Sequence, residues 1–402
     1  MNRIVIVGNG FDLAHGLKTS YKDFIGWYWE QKLNPVHDTK LQDKLCTLIT
    51  PKRLDWYMFL WEHAGFSTHT PKEYVEHIFN EENGFTKETT PFFGTLIQSI
   101  ETKGWVDIEN EYYLFLKGLL GNSKYKNPEE LNEELDFIKD KLIQYLNQIN
   151  CNEINDQIIN DNIKRLIFEP FKERDIAISS RNKWRNFMQH RNLDNNSSWH
   201  SLVYNYSLVN KSMQYKNINK NSSTPEFRLP NNIYILNFNY TATADLYLPK
   251  DSMFETNHIH GTISDPHSVI FGYGDELDPE YKRLLDLNDN SYLSNIKSIK
   301  YLESLNYRRL LSYIESDDFQ IYIMGHSCGN SDRTLLNTLF EHPNCVSIKP
   351  FYYKRVDGTD NYTEIIQNIS RNFKDMKLMR DRVVNKAYCE PFSVEESITI
   401  NK

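Results

Sequence analysis

The chain has 402 residues, a length that predicts two or three domains, or one core that carries a large insertion. Its 46 Lys and Arg residues against 54 Asp and Glu residues leave a net charge of −8, which weighs against a protein whose main task is to bind nucleic acid. Apolar residues make up 40% of the chain and aromatic residues 13%, so it can build a core and is not disordered throughout.

Nothing in the sequence has the pattern of a secretion or membrane signal. The apolar run Ile4–Val7 is too short for the core of a signal peptide, and no run approaches the roughly 20 apolar residues of a membrane span. The five cysteines are scattered and form no Cys-x-x-Cys pair, which disfavours a disulfide framework or a zinc ribbon. We therefore expect a soluble protein of the cytoplasm.

The N-terminus predicts a buried strand at Arg3–Val7, ended by the turn Gly8-Asn9-Gly10. Such a turn lets backbone N–H groups approach a phosphate, although a tight turn without a ligand explains it equally well. A dinucleotide fingerprint needs a third glycine where this chain has Leu13, and no acidic residue closes a second strand about 20 residues later. An enzyme that transfers hydride from a nicotinamide cofactor is therefore a poor fit.

The pattern over residues 35–230 predicts helix almost throughout. Pro128–Ile149 is the best-defined helix, because its leucines and isoleucines recur at spacings of three and four and Asn127 is a good N-cap. The predicted helix Trp105–Leu120 begins with acidic residues, which the helix dipole favours. This pattern identifies no function for Trp105, Asp107 and Glu109. The weaker predicted helices are Trp105–Leu120 and Ile154–Phe168, and the predicted polar loops are Asn192–Ser198 and Lys216–Pro225.

After residue 230, strands alternate with helices, which predicts a parallel sheet covered on both faces. We therefore expect an α/β fold with a discontinuous nucleotide-binding domain at residues 1–34 and 231–385, whose parallel, Rossmann-like sheet uses both ends of the chain. Residues 35–230 are expected to form an all-helical insertion, and residues 386–402 a loose tail. The predicted strands are Ile233–Leu236, Thr256–Ile259, Val269–Phe271, Phe319–Met324 and Val346–Tyr353; the predicted helices are Ser20–Gln31, Tyr292–Ile314 and Glu364–Phe373.

Polar residues follow several of these strands. Asn237, Asn239 and Tyr240 lie after one strand, where turn and helix-cap chemistry is the alternative explanation, above all for Asn237. Strand alternation places His258 and His260 on the same side of the next strand. An imidazole that titrates near neutral pH can act as a general base, whereas a satisfied core histidine is the alternative.

Metal binding by the two histidines is disfavoured, because no nearby cysteine or carboxylate completes a ligand set. Gly261 directly after His260 favours a functional role, since glycine lets a ligand approach closely. We expect no metal at this site.

The segment Gly325-His326-Ser327-Cys328-Gly329 has the Gly-x-Ser-x-Gly form of a hydrolase nucleophile elbow. An α/β-hydrolase needs an acid and then a histidine further along the chain, but of histidines only His342 follows. The alternative is a second phosphate- or ribose-binding turn, with the Ser327 hydroxyl as donor and Asp332 close behind. Because parallel strands share their carboxyl edge, this turn and the loops after Val7 and Leu236 should meet where open α/β sheets bind ligands.

Together these motifs resemble the AbiH family of bacterial abortive-infection proteins. They are spread over nearly the whole chain, and the N-terminal motif is quite specific. The resemblance implies a role in defence against bacteriophage. It is carried by Ile6–Leu17 with Thr19-Ser20-Tyr21, Asn239-Tyr240-Thr241, His258-Ile259-His260-Gly261, Ile270-Phe271-Gly272 and Gly325-His326-Ser327.

The same motifs are similar to sirtuin-like NAD-binding domains. The cysteine-rich zinc module of protein deacylases is missing, which points to the defence branch that destroys NAD⁺ during infection. The matching residues are Gly8, Gly10, Gly16, Leu17, Asn239, Tyr240, His260, Gly261, Gly325 and Ser327, and the departures are Asn9, Asp12, Lys18 and Thr241.

The resemblance implies an NAD⁺ glycohydrolase, with NAD⁺ as a substrate and no resident cofactor. It implies that His260 is the general base and that Asn239 orients the ribose and the attacking water. It also implies that backbone N–H groups of Gly8, Asn9 and Gly10 hold the pyrophosphate. The other residues that it implies in nucleotide binding are Phe11, Asp12, His15, Asn237, Tyr240, Gly261, Gly325, His326, Ser327 and Asp332.

Two functions of other classes stay open: a nucleotide-binding sensor without chemistry, and a Mg²⁺-dependent nucleotide hydrolase or nuclease. The expected partners are NAD⁺ or a related nucleotide, a phage-derived trigger and further copies of the chain, with neither membrane nor nucleic acid. The helical insertion is expected to sense or to silence, because a toxic enzyme must stay off in a healthy cell.

Overall fold

The computed structural model describes residues 1–33, 40–49, 86–104, 106–121, 125, 127–152, 154–189, 197–210, 225–249 and 254–394. The chain divides into two compact units. The sheet unit comprises residues 1–17, 150–270 and 298–402, and the second unit comprises residues 18–149 and 271–297.

The strands, in chain order, are β1 (Asn2–Val7), β2 (Lys40–Gln42), β3 (Cys46–Ile49), β4 (Thr86–Thr89), β5 (Ile233–Asn237), β6 (Phe254–His258), β7 (Phe319–Met324), β8 (Cys345–Lys354) and β9 (Pro391–Val394). β1 and β5 to β9 form one parallel sheet in the order β6-β5-β1-β7-β8-β9. The predicted α/β fold, with a parallel sheet built from both ends of the chain, is confirmed.

The helices, in chain order, are α1 (Asn9–Leu13), α2 (Tyr21–Leu33), α3 (Pro91–Lys103), α4 (Ile108–Gly118), α5 (Pro128–Asn152), α6 (Asp161–Ile167), α7 (Arg181–Gln189), α8 (Ser197–Asn210), α9 (Pro279–Asp286), α10 (Lys297–Lys300), α11 (Asn306–Ser316), α12 (Arg333–Phe340), α13 (Tyr362–Arg371) and α14 (Met376–Arg382). The predicted helices at Ser20–Gln31 and Pro128–Ile149 are present as α2 and α5. Asn127 caps α5 as predicted, since its side-chain oxygen accepts from the Glu130 N–H at 3.1 Å.

Alternate residues of β1 enter two hydrophobic clusters, one on each face of the sheet. Ile4 and Ile6 pack with apolar side chains of α11, α12 and α13. Val5 and Val7 pack with apolar side chains of α6 and with Leu202 of α8. Residues between 150 and 230 therefore cover one face of the sheet.

The two units differ from the predicted domain boundaries. Residues 150–230 group with the sheet, because α6 and α8 close one of its faces. Residues 18–34 and 271–297 belong to the second unit instead. The prediction that residues 35–230 form one separate insertion does not match this division.

Three predicted elements of the sheet unit also differ from the structure. Ile154–Phe168 begins with a 3₁₀ turn and is helical only in α6. The predicted strand Val269–Phe271 is absent, because the Ile270 N–H donates to His260 O at 2.8 Å and Ile270 O accepts from the Tyr240 hydroxyl at 3.0 Å. Within the predicted tail, β9 pairs with Tyr352–Lys354 of β8 and Phe392 is buried.

The predicted helix Tyr292–Ile314 is interrupted at several places. Residues 290–293 and 301–303 form 3₁₀ turns, and residues 297–300 form the separate short helix α10, before α11 begins. Asn and Ser side chains compete with helical backbone hydrogen bonds, as Ser294 Oγ does when it donates to Asn290 O at 3.3 Å.

The second unit contains α2 to α4, most of α5 and α9, together with a small antiparallel sheet in the order β2-β3-β4. The prediction of an all-helical insertion is corrected by these strands. They are three or four residues long, too short to give a clear alternating pattern. Trp105, residues 192–196 and residues 216–224, all of which carried sequence predictions, lie outside the described residues.

Asp107 and Glu109 have structural partners within the second unit. Asp107 caps α4 by accepting from the Asn110 N–H at 3.0 Å, as an acidic helix start predicts. The buried Glu109 carboxylate accepts from the Gly272 N–H at 2.9 Å and from Lys297 Nζ at 2.8 Å. These contacts attach residues 271–297 to α4.

Buried charges in the sheet unit attach residues 167–175 to β1 and β8. Arg3 donates to the carbonyl oxygens of Ile167 and Glu169 at 2.9 and 2.6 Å. Lys349 Nζ lies 3.3 Å from Glu169 Oε1 and 3.1 Å from Asp175 Oδ2. Burial alone would raise the pKa of Glu169, but the charges of Lys349 and Arg3 outweigh it and lower this pKa to about 2.

We expect Glu169→Gln to lower the free energy of unfolding by about 3 kcal/mol at pH 7, because it leaves buried cations undercompensated. The pKa of Glu169 is lowered in the folded state, so its contribution is present above about pH 4.5 and is lost as the pH falls towards 2. Urea denaturation at pH 7 and pH 3 measures both effects. The matched variant Glu173→Gln, at an exposed position, should change stability by less than about 0.5 kcal/mol. Equal midpoints for wild type and Glu169→Gln at pH 7 would contradict this account.

Candidate functional site

The loops after β1, β5, β6 and β7 lie at the carboxyl edge of the sheet. β5 and β7 pair with β1 from opposite sides, so the chain order reverses at β1. Open α/β sheets bind ligands at this kind of reversal. The predicted convergence of the loops is therefore present in the fold.

Glycines let the β1 loop and the β7 loop touch backbone to backbone. The Gly10 N–H donates to Gly325 O at 2.8 Å, and the Gly8 N–H to Met324 O at 3.4 Å. Gly325 has a φ of +74°, and a Cβ there would lie 2.1 Å from Phe11 N. These two N–H groups therefore have backbone acceptors within the protein, and their predicted role in holding a pyrophosphate stays a prediction.

Asp12 joins the β1 loop to the β5 loop. Its side chain is buried, and Oδ2 accepts from Thr241 Oγ1 at 2.6 Å. Burial raises the pKa of Asp12 to about 6, although hydrogen bonds with Thr241, Thr243 and Asn239 act in the opposite direction. No cation is among these causes, so the carboxyl is held by neutral groups.

The two asparagines of the β5 loop have different surroundings. Asn237 is buried, and it shapes the turn by donating to Thr241 O at 3.1 Å and accepting from the Asn239 N–H at 2.9 Å. Asn239 is half-buried and reaches the β1 loop, where its Nδ2 donates to Gly8 O at 3.0 Å. Turn chemistry therefore accounts for Asn237, whereas Asn239 spans two loops of the candidate site.

His258 and His260 do not share one side of a strand, because β6 ends at His258 and His260 lies in the following turn. His258 Nε2 lies 3.0 Å from Asp245 Oδ1, and its Nδ1 lies 3.3 Å from Asn237 Nδ2. His260 has a separate environment: its Nε2 lies 3.3 Å from Asp332 Oδ1 and 3.1 Å from the Tyr301 hydroxyl. The prediction from strand alternation is therefore wrong.

One carboxylate lies between His260 and His326. Asp332 Oδ2 is 3.5 Å from His326 Nε2, while Asp332 Oδ1 faces His260. Phe238 packs edge-on against both imidazoles, with ring centroids 5.1 Å from His260 and 4.2 Å from His326. The two histidines and the aspartate are 3%, 6% and 8% exposed, so they interact away from bulk water.

Phe11 and His15, expected to bind nucleotide, pack against other side chains of the sheet unit. Phe11 is fully buried in the cluster around Val7. His15 Nδ1 lies 2.6 Å from Phe11 O, and its Nε2 lies 2.5 Å from the Tyr247 hydroxyl. Both ring nitrogens of His15 therefore have protein partners, and its predicted role in nucleotide binding stays a prediction. Burial lowers the pKa of His15, which favours the neutral ring.

The remaining predicted residues lie around the same edge. Asn9 and Ser327 are exposed, and Asn368 Nδ2 donates to Ser327 O at 2.8 Å. Gly261 has a φ of +78° and lies against the Ser268 backbone, so it too serves chain packing. The Tyr240 ring is tilted towards His260, with centroids 6.4 Å apart.

Sequence reasoning missed Tyr301, Thr243 and the role of Phe238. Tyr301 lay inside a predicted helix, and Thr243 lies just beyond the quoted motif. Phe238 lies between Asn237 and Asn239, whose polar side chains were considered as site residues instead. No local pattern marks these residues, because their contacts join separate loops.

The described residues contain neither a metal-binding cluster nor a membrane-spanning helix. No three His, Cys, Asp or Glu side chains among them are placed to hold a metal ion. None of the helices they form is both long and apolar enough to cross a membrane.

The family described as "Bacteriophage abortive infection AbiH" matches residues 4–353. The chain belongs to the AbiH family. The match runs from β1 into β8 and includes every loop of the candidate site. Membership of the AbiH family supports a role in abortive infection, a bacterial defence against bacteriophage. Searches of curated proteins and of solved structures give no significant match.

We expect Asp12→Asn to stabilise the fold at pH 8 and to change it little at pH 4. Because the pKa of Asp12 is raised from 3.8 to about 6, the stability of the wild type is greatest below pH 3.8 and falls as the pH rises to about 6. The amide has no charge to desolvate, so the gain at pH 8 should reach up to about 3 kcal/mol. Urea denaturation at both pH values measures it, with the exposed Asp265→Asn as control. A variant less stable than wild type at pH 8 would refute this reading of Asp12.

Proposed function

We propose that this AbiH protein cleaves NAD⁺ to nicotinamide and ADP-ribose and so depletes NAD⁺ during phage infection. The similarity of its loop motifs to sirtuin-like NAD-binding domains suggests the substrate. The pairing of His260 with the Asp332 carboxylate, at 3.3 Å, is the observation that carries the chemistry. Abortive infection needs a reaction that halts the host cell, and loss of NAD⁺ does so.

The scissile bond joins the ribose C1′ to the nicotinamide nitrogen, and its cleavage passes through an oxocarbenium-like state. Water supplies an oxygen to C1′, the electron pair of the C–N bond goes to nicotinamide, and one water proton goes to His260. Nicotinamide leaves as a neutral molecule, so the reaction needs no strong acid. One buried base is sufficient for this chemistry.

The Asp332 carboxylate supports His260 as that base, because it stabilises the imidazolium formed when His260 takes a proton. Asn239 lies on the neighbouring loop, bonded to the β1 loop through Gly8 O, and is the residue proposed to orient the ribose and the water. Since the N–H groups of Gly8 and Gly10 have protein acceptors, the exposed Asn9 and Ser327 are the residues proposed to meet the phosphates or the adenosine ribose.

We assign control of the activity to residues that lie outside the carboxyl edge of the sheet. An enzyme that destroys NAD⁺ must stay inactive before infection. We propose that the second unit receives a phage-derived trigger and that assembly of several copies switches the enzyme on.

Nicotinamide release from NAD⁺, followed by chromatography, tests the proposal. We expect His260→Gln to lower the rate about 10²- to 10⁴-fold, the usual contribution of a general base. The matched variant His267→Gln, at an exposed position on a nearby turn, should keep wild-type activity. Equal rates for wild type and a folded His260→Gln variant would eliminate His260 as the base.

The two alternative functions predict different results in further experiments. Calorimetric binding of NAD⁺ with no release, and intact NAD⁺ in infected cells, would assign the chain to nucleotide sensing. Turnover of a nucleotide that depends on Mg²⁺ would assign it to phosphoester hydrolysis instead.

A further inference from the structure

We propose that His326 and Asp332 are positioning residues that hold His260 with its proton on Nε2, so that Nδ1 is its basic nitrogen. The catalytic meaning of this arrangement rests on the proposed function. The arrangement itself is a property of the folded chain and can be measured without any substrate.

The backbone of Cys328 determines the tautomer of His326. The Cys328 N–H donates to His326 Nδ1 at 2.9 Å. A backbone amide is always a donor, so Nδ1 must hold a lone pair and the proton of the neutral ring is on Nε2. Protonation of Nδ1 would break this bond.

The loop that carries this amide is held in an unusual conformation. Cys328 has a φ of 54°, in the left-handed region that residues other than glycine seldom adopt. Asn372 Nδ2 donates to Cys328 O at 2.9 Å, and Asn368 Nδ2 to Ser327 O at 2.8 Å. Bonds from the α13 segment therefore keep the Cys328 amide aimed at His326.

Asp332 passes the constraint from His326 to His260. The His326 Nε2–H faces Asp332 Oδ2, and His260 Nε2 faces Asp332 Oδ1, so each oxygen serves one imidazole. A carboxylate attracts an N–H and repels a lone pair, which selects the Nε2–H form of His260 as well. The Tyr301 hydroxyl, 3.1 Å from the same nitrogen, can accept from the same N–H. The lone pair of neutral His260 is then on Nδ1.

This arrangement separates the work of the two histidines. His260 takes the proton of the attacking water at Nδ1, and Asp332 stabilises the resulting imidazolium. We assign no proton transfer to His326; its Nε2–H keeps Asp332 oriented. A second acid or base is therefore not supplied by His326, in agreement with a leaving group that departs neutral.

Nitrogen-15 NMR of histidine-labelled full-length protein at pH 7.5 tests the tautomers directly, because protonated and unprotonated ring nitrogens have distinct shifts. Signals are assigned with the single variants His260→Asn and His326→Asn. We expect both rings to carry the proton on Nε2, and Asp332→Asn to change the tautomer of His260 while that of His326 stays. A proton on Nδ1 of His326, or a His260 signal unaffected by Asp332→Asn, would overturn the proposal.

The variant His326→Asn tests the positioning role, since its side-chain oxygen can still accept from the Cys328 N–H while the contact with Asp332 is lost. We expect kcat for nicotinamide release to fall roughly 10- to 100-fold, with KM for NAD⁺ within about 2-fold, because only orientation of the base is lost. The chain offers a matched control in His342, whose Nδ1 accepts from the Asn344 N–H at 3.2 Å and whose Nε2 faces the exposed Glu315. His342→Asn should leave kcat unchanged.

The proposed function and the positioning role of His326 can be refuted independently. A wild-type protein without NAD⁺ turnover, in vitro and in infected cells, would refute the proposed function and leave the tautomer result standing. Unchanged kcat and an unchanged His260 tautomer in His326→Asn would refute the positioning role even if NAD⁺ is cleaved.

Discussion

The backbone contact between Gly10 and Gly325 sets the distance at which the β1 and β7 loops pass each other. A Cβ on Gly10 would lie 2.9 Å from Gly325 Cα, and one on Gly8 would lie 2.6 Å from His326 Cα. Such distances are too short for any side chain, so the glycines are required by packing. Asn239 of the β5 loop donates to Gly8 O on the same β1 loop. The glycines that suggested a phosphate-binding turn are thus needed for the close packing of these two loops.

Two buried carboxyls of the sheet unit have pKa values that are shifted in opposite directions. Glu169 lies among cations, and its pKa is lowered to about 2 by Lys349 and Arg3 despite burial. Asp12 lies among hydroxyl and amide groups, and burial raises its pKa to about 6. The first arrangement stabilises the fold at neutral pH, whereas the second lowers stability there. Asp12 lies in the short helix α1 that follows β1, at the carboxyl edge of the sheet.

Sequence patterns predicted the sheet well and the side-chain roles unevenly. Buried strands and glycine turns have strong local signals, so β1 and β7 and the loops after them could be placed from the sequence. The roles of His15 and His258 could not, because their partners Tyr247 and Asp245 have no fixed relation to them along the chain. The small strands β2 to β4 were missed because three or four residues carry too little periodicity.

The sequence by itself determined the parallel sheet, the turns at its carboxyl edge and the AbiH family, since apolar periodicity, glycine spacing and motif order are local properties of the chain. Only the tertiary structure decided which polar groups meet there. Asp332 lies between His260 and His326 because β6 and β7 deliver their loops to one edge from different sides of β1 and β5. A histidine is a base, a core residue or a positioning residue according to the atoms around its two nitrogens, and folding brings those atoms together from distant parts of the chain.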